Sequence, residues 1–196
     1  KAGAAVLLGA VKAIIDNQIK LPVTCYALFT ITEEVGSGAS AVLHGDVAEM
    51  LTLDNGTTAP GQNSSEFGVT FCMADMSGPF DYHLTHYLIR LCQEFQVPYQ
   101  RDVFRYYRSD SAAAVEAGAD LRTALAAFGI DASHGWERIH WNALESLAKL
   151  TSIYMQSPPL FLRDQDDLGP PGNPAKADRD DISGKQCRGQ SQQADG

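Results

Sequence analysis

Cysteine is scarce in this 196-residue chain, with four in all at Cys25, Cys72, Cys92 and Cys187, and no two are spaced as CxxC. That excludes a disulfide-stapled scaffold and a cysteine-ligated zinc module. Cys25, Cys72 and Cys92 sit in apolar runs and are expected as reduced core residues, which fits a reducing cytoplasm. Positive charge is short as well: 15 Lys and Arg against 24 Asp and Glu leave a net charge of −9. Such a chain lacks the basic patches of a nucleic-acid binder and disfavours an anionic membrane surface. No apolar run approaches the roughly 20 residues that span a bilayer. No internal repeat is visible. What is present is 44% hydrophobic and 20% charged residues, the balance of a globular chain long enough for a core.

Hydrophobic periodicity gives a coarse order of elements. "KAGAAVLLGAVKAIID" opens on Lys1 in mid-pattern, as expected of a piece of a longer protein, and predicts a helix over 2–17. "LPVTCYALFTIT" is β-branched and aromatic and predicts a buried strand. A short helix in "SGASAVLHG" should end at Gly45, and a second strand in "VAEMLTLD" at Asp54. After the turn-rich "NGTTAPGQNSSE" come a strand in "FGVTFCMADM" and an amphipathic helix in "YHLTHYLIRLCQEF". That helix carries Leu84, Leu88, Leu91 and Phe95 along one side. "VPYQRDVF" predicts a fourth strand. "SDSAAAVEAG" predicts a short helix with Ser109 as N-cap and Gly118 as stop. "DLRTALAAFGI" suits a strand or a helix. "WNALESLAKLTSIYMQS" predicts a last helix, halted by Pro158 and Pro159. The alternation implies an α/β fold: a layered, mostly parallel sheet flanked by helices. Residues 1–159 form the folded unit. Residues 160–196 are expected to be a disordered tail, since composition turns polar from Arg163.

Ligands of open α/β sheets bind beyond the carboxyl ends of strands. Glu33 and Glu34 fall at one expected strand end and Asp54 at the next. Imidazoles could join them from "ASHGWERIHWN", which holds His134 and His140. Carboxylate and imidazole together suit hard or borderline dications. A dication would also explain two adjacent acids where a buried strand stops: one neutralised by coordination, the other left as a general base. Each residue has a plainer reading too. Glu33-Glu34 before Gly-Ser-Gly suits a solvated turn, and Asp54 before Asn-Gly a turn former. His140 beside Trp141 suits a packed histidine, and Asp110 a first-turn helix carboxylate. His83 and His86 read as surface residues.

The ordered set of motifs resembles one family. "FTITEEVGSGAS" is similar to the FTxxEEVGxxGA motif of the glutamyl and tetrahedral aminopeptidases, two-metal peptidases of metallopeptidase family 42. "KAGAAVLLGAVKAI", "TLDNGTTAPG", "VPYQRDVFRYYRSDSAAA" and "ERIHWNALESLAKL" resemble further segments of that family, in order. "MADMSGPFDYHLTH" and "YRSDSA" resemble the branch linked to the N-acetylglutaminylglutamine amide osmoprotectant system.

The resemblance implies a partial zinc-peptidase-like catalytic domain holding two divalent ions, zinc or cobalt. It implies cleavage of short peptides or N-acyl dipeptide amides in the cytoplasm, with a homo-oligomeric full-length parent. Carried over, Glu33 matches the general base, Glu34 and Asp54 match metal ligands, and Asp110 lies near the site. His140 matches the histidine ligand, with His134 as the alternative. The family's bridging aspartate falls just before the position of Lys1, and its first metal histidine further upstream, before an inserted β-barrel domain. The alternative expectation is therefore a truncated, non-catalytic homologue acting as an assembly or binding subunit.

Overall fold

A computed structural model describes residues 1–161. Helix α1 spans Ala2–Asp16. No regular element follows until two short 3-10 turns, Glu33–Val35 and Gly38–Ala41. Strand β1 is Glu49–Thr57, β2 is Val69–Cys72, and β3 (Ala74–Asp75) and β4 (Gly78–Pro79) form a small ribbon. Helix α2 is Tyr82–Glu94, β5 is Tyr99–Asp102 and α3 is Asp110–Glu116. Strand β6 is Arg122–Asp131, β7 is Arg138–Ile139 and α4 is Trp141–Gln156.

The main sheet runs β1-β6-β2-β5, with β7 paired to the end of β6. Nine positions of β1 against β6 and four of β2 against β5 pair in parallel. Four of β2 against β6 and two of β6 against β7 are antiparallel, so the sheet is mostly parallel. The stretch that suits either helix or strand, "RTALAAFGID", becomes the central strand, because both its faces are covered. Ala124, Ala126, Phe128 and Ile130 face one apolar cluster, whereas Leu125 and Ala127 face another with Cys72 and Phe104. A strand buried on both sides shows no polar alternation, which is why its period is illegible.

The two faces differ in chemistry. The larger cluster joins the sheet to Val6 of α1, Leu84, Leu88 and Leu91 of α2, and Ala143, Leu147 and Leu150 of α4. On the other face the inward positions are mixed. Register sets Thr52 beside Leu125 and Asp54 beside Ala127, and Thr70 and Asp102 are buried there with the small apolar cluster. Period-two alternation thus sends Leu51 and Leu53 to the helices and Thr52 and Asp54 to the opposite side.

Several expectations are corrected. Residues 21–32 form no strand. They make no backbone–backbone hydrogen bond to any described residue before Thr32, and a strand needs a neighbour's ladder. Their apolar side chains are largely exposed, Ile31 by 96%. Asp54 does not end its strand, because β1 continues to Thr57 alongside β6. Cys25 is exposed rather than in the core, while Cys72 and Cys92 are buried. The helix expected in "SGASAVLHG" contracts to one 3-10 turn. Phe95 caps α2 and is exposed. Ser109 occupies the N-cap of α3 as expected, and Gly118 follows that helix at φ +95°. The expected tail lies outside the described residues except for its first two positions.

The loop 58–66 crosses the C-terminal ends of β1 and β6 and packs so closely that Gly129 has no room for a side chain. A Cβ there would strike the backbone carbonyl of Ser65 and come within 2.6 Å of the Glu66 nitrogen. Asp102 holds the loop down: Oδ2 accepts the Asn63 N–H (2.9 Å), the Ser64 hydroxyl (2.8 Å) and the Gln62 amide (3.1 Å). Since backbone cannot yield as a flexible side chain does, Gly129→Ala should destabilise the fold by about 3 kcal/mol. Thermal denaturation should show a Tm lower by about 10 °C. An unchanged Tm would mean that the loop is free to lift.

Candidate functional site

The acidic turn follows from local chemistry. Thr32 accepts from the N–H groups of Val35 and Ser37, and Glu33 from that of Gly36. Gly36 closes the turn at φ +80°, a left-handed conformation that glycine adopts without penalty. Adjacent residues on a tight turn point apart. Glu33 is part-buried, while Glu34 is exposed and lies 3.6 Å from His134 Nδ1.

Asp54 comes from the polar face of β1. Its Oδ1 accepts from the N–H (2.7 Å) and side-chain amide (3.2 Å) of Asn55. Burial lifts its pKa from 3.8 to about 6, against the lowering by the Asn55 N–H, and the charges of Glu34 and Asp110 push the same way. Glu33 is also raised to about 6, first by burial, then by the charges of Asp54, Glu34 and Asp110, with His134 opposing. Two carboxyls raised to about 6 in a shared acidic field make this a candidate functional site.

Asp110 opens α3 and is buried. Its Oδ1 accepts the Ala39 N–H (2.7 Å) and its Oδ2 the Thr30 hydroxyl (2.8 Å). Glu33, Glu34, Asp54, Asp110 and His134 are therefore brought within electrostatic reach of one another. His140 is placed otherwise. It caps α4, with Nδ1 accepting the Asn142 N–H (3.2 Å), and its ring packs 4.9 Å from Phe67. His83 and His86 lie along α2 beside Tyr82.

The chemistry of this donor set fits a dication. Carboxylate oxygens and an imidazole are its usual partners, and a positive charge would offset the burial, and with it the neighbouring negative charge, that raises Glu33 and Asp54 to about 6. Among the described residues, no three His, Cys, Asp or Glu side chains converge closely enough to hold an ion by themselves. Thr30, Gly38, Asp75 and Ser111, which shape the turn and α3, carried no signal in the sequence beyond a hydroxyl, a glycine or, at Asp75, an isolated acid.

Comparison with known proteins gives a consistent result. The family model described as M42 glutamyl aminopeptidase matches residues 1–150. YhfE of Bacillus subtilis (strain 168), assigned as an aminopeptidase, is 38% identical over 158 residues, 81% of this chain and 46% of that protein. The TET aminopeptidase of the marine sediment archaeon Thaumarchaeota archaeon SCGC AB-539-E09 has the same fold. Its TM-score is 0.70 at 22% identity, over 83% of this chain and 48% of that one. The TET1 peptidase of Pyrococcus horikoshii, which assembles into a tetrahedron or a large octahedral shell, gives a TM-score of 0.64 at 21% identity. That match covers 76% of this chain and 46% of that one. The chain spans about half the length of these relatives.

The raised carboxyl of Asp54 has a consequence for stability. Its folded pKa lies above the ordinary 3.8, so between pH 4 and 6 the folded state holds the proton more firmly than the unfolded state. Stability is therefore lost as pH rises through that window, by up to about 3 kcal/mol from this group. With chelator present, Asp54→Asn should melt at a higher temperature than the parent at pH 7.5 and at no higher temperature at pH 4. Equal shifts at both pH values would show that the charge of Asp54 is not what strains the fold.

Proposed function

The chain belongs to the M42 glutamyl aminopeptidase family, and on that premise we propose that the complete protein is a metal-dependent peptidase. It would remove residues from the amino end of short peptides or cleave N-acyl dipeptide amides. The observation that carries this reading is the pairing of Glu33, part-buried and raised to about 6, with an exposed neighbour, Glu34, in a field of further carboxylates.

Glu33 is the proposed general base. A carboxyl titrating near 6 is ionised at neutral pH, yet basic enough to take a proton from water. Once protonated, it can return that proton to the departing amine. Glu34 and Asp54 are the proposed metal-holding carboxylates, with His140 as the proposed imidazole partner on the strength of its motif position, although here it caps α4 against Phe67. His134 is the alternative, supported by its position beside Glu34. Two zinc or cobalt ions bound there would polarise the scissile carbonyl and the attacking water. Partial burial of Glu33 and Asp54 lowers the local dielectric and strengthens each charge interaction. Cytoplasmic location and homo-oligomeric assembly of the parent are further parts of the proposal. The assembly finds support in the shells formed by the Pyrococcus TET1 peptidase.

In the intact parent protein, Glu33→Gln should lower kcat for an aminoacyl anilide by about 100-fold or more while leaving bound metal unchanged. Stopped assays and elemental analysis read the two quantities separately. Hydrolysis at the parent rate would overturn the role of Glu33. An intact parent that binds no divalent ion and cleaves no peptide would favour the non-catalytic alternative.

A further inference from the structure

We infer that Asp110 is a positioning residue that fixes the turn carrying Glu33 and Glu34 relative to Asp54, acting as a two-legged hydrogen-bond acceptor. The inference rests on the roles proposed above for Glu33 and Glu34.

Asp110 is only 9% exposed. Its Oδ2 takes the hydroxyl of Thr30, which precedes the acidic pair, and its Oδ1 takes the N–H of Ala39, which follows it. The two legs straddle the turn, so one side chain closes both ends of the loop that presents Glu33 and Glu34. Gly38 lies against this clamp: a Cβ there would strike Asp110 Oδ1 and come within 3.0 Å of Thr30 Oγ1.

The other end of the clamp is anchored to the sheet. Ser111, the next residue of α3, makes a hydroxyl–hydroxyl hydrogen bond with Thr52 of β1. Thr52 shares the face of β1 that bears Asp54. Asp75 adds a second anchor, its Oδ2 accepting the Ser109 N–H (3.0 Å). The first turn of α3 is thus a bracket between the strand of Asp54 and the turn of Glu33 and Glu34.

Charge does not account for Asp110, because its charge raises Glu33 and Asp54 further and adds repulsion to a crowded field. The useful property is acceptor geometry on both oxygens. Asparagine keeps much of it without charge: its oxygen can accept the Ala39 N–H, and its amide can donate to a reoriented Thr30 hydroxyl. Alanine removes both legs.

The test is hydrogen exchange on the intact parent protein, with and without chelator. Asp110→Ala should speed exchange of the segment 33–40 by about tenfold or more, with β6 unaffected. Asp110→Asn should stay near the parent. Peptide hydrolysis should follow: kcat falls in Asp110→Ala at similar KM and is largely kept in Asp110→Asn. Exchange unchanged in Asp110→Ala, or Asp110→Asn matching Asp110→Ala, overturns the inference. Should Asp110→Ala fail to fold, Thr30→Val, which removes one leg, decides: faster exchange over 33–40 supports the clamp and unchanged exchange overturns it. If Glu33→Gln keeps hydrolysing, the functional reading falls, yet the exchange comparison still decides the role of Asp110.

Discussion

Glu33, Glu34, Asp54 and Asp110 are held together against their mutual repulsion, and the surrounding architecture makes that possible. Each acid would be better solvated apart. Burial and shared charge lift Glu33 and Asp54 to about 6, so the site draws on stability gained elsewhere. That stability comes from the opposite side of the sheet, where three helices bury leucines and alanines against β2 and β6. Separating the two tasks by face lets the acidic side remain polar while the other side supplies the hydrophobic contribution.

Holding like charges together needs rigid attachments that do not themselves add cations. The fold uses hydrogen bonds to carboxylates that are buried or half-buried. Asp110 gathers Thr30 and Ala39, Asp75 gathers Ser109, and Asp102 gathers Gln62, Asn63 and Ser64. In each case an acid accepts from backbone, hydroxyl or side-chain amide donors and joins two segments: α3 to the acidic turn, the small ribbon to the start of α3, and β5 to the loop 58–66. Several acceptor contacts gathered on one side chain suit loops with little apolar surface to bury. The proposed peptide hydrolysis would use this arrangement, since it needs a base and charge stabilisers fixed at short range while the substrate comes and goes.

Legibility followed the range of the forces. The helices α1, α2 and α4 were readable because their apolar positions recur along a single segment. The identity of β6 was not, because a strand covered on both faces shows no alternation. The run at 21–32 misled for the converse reason. Its residues have strand propensity, but propensity does not supply a hydrogen-bonding neighbour, and Tyr26 instead stacks on His44 while Ile31 faces solvent. Asp54 was legible as an acid near the end of a strand. That β1 runs on past it could be known only from the nine-position pairing with β6. Of the two histidines, spacing could not tell which stands beside the acids. His134 meets Glu34 because the hairpin between β6 and β7 turns it there, with His134 itself at φ +60°.

Helical period and strand patterning were enough to indicate an α/β chain, and motif order its peptidase family, with Glu33, Glu34 and Asp54 as candidates. These are local properties, written in neighbouring residues and in spacings that any fold would preserve. Tertiary structure alone decided which acids feel one another, how far burial shifts Glu33 and Asp54, and what Asp110 does. Its partners Ala39 and Thr30 lie 71 and 80 positions away in the chain. Contacts over such distances depend on strand order and register, which arise from the whole sheet and not from any segment read alone.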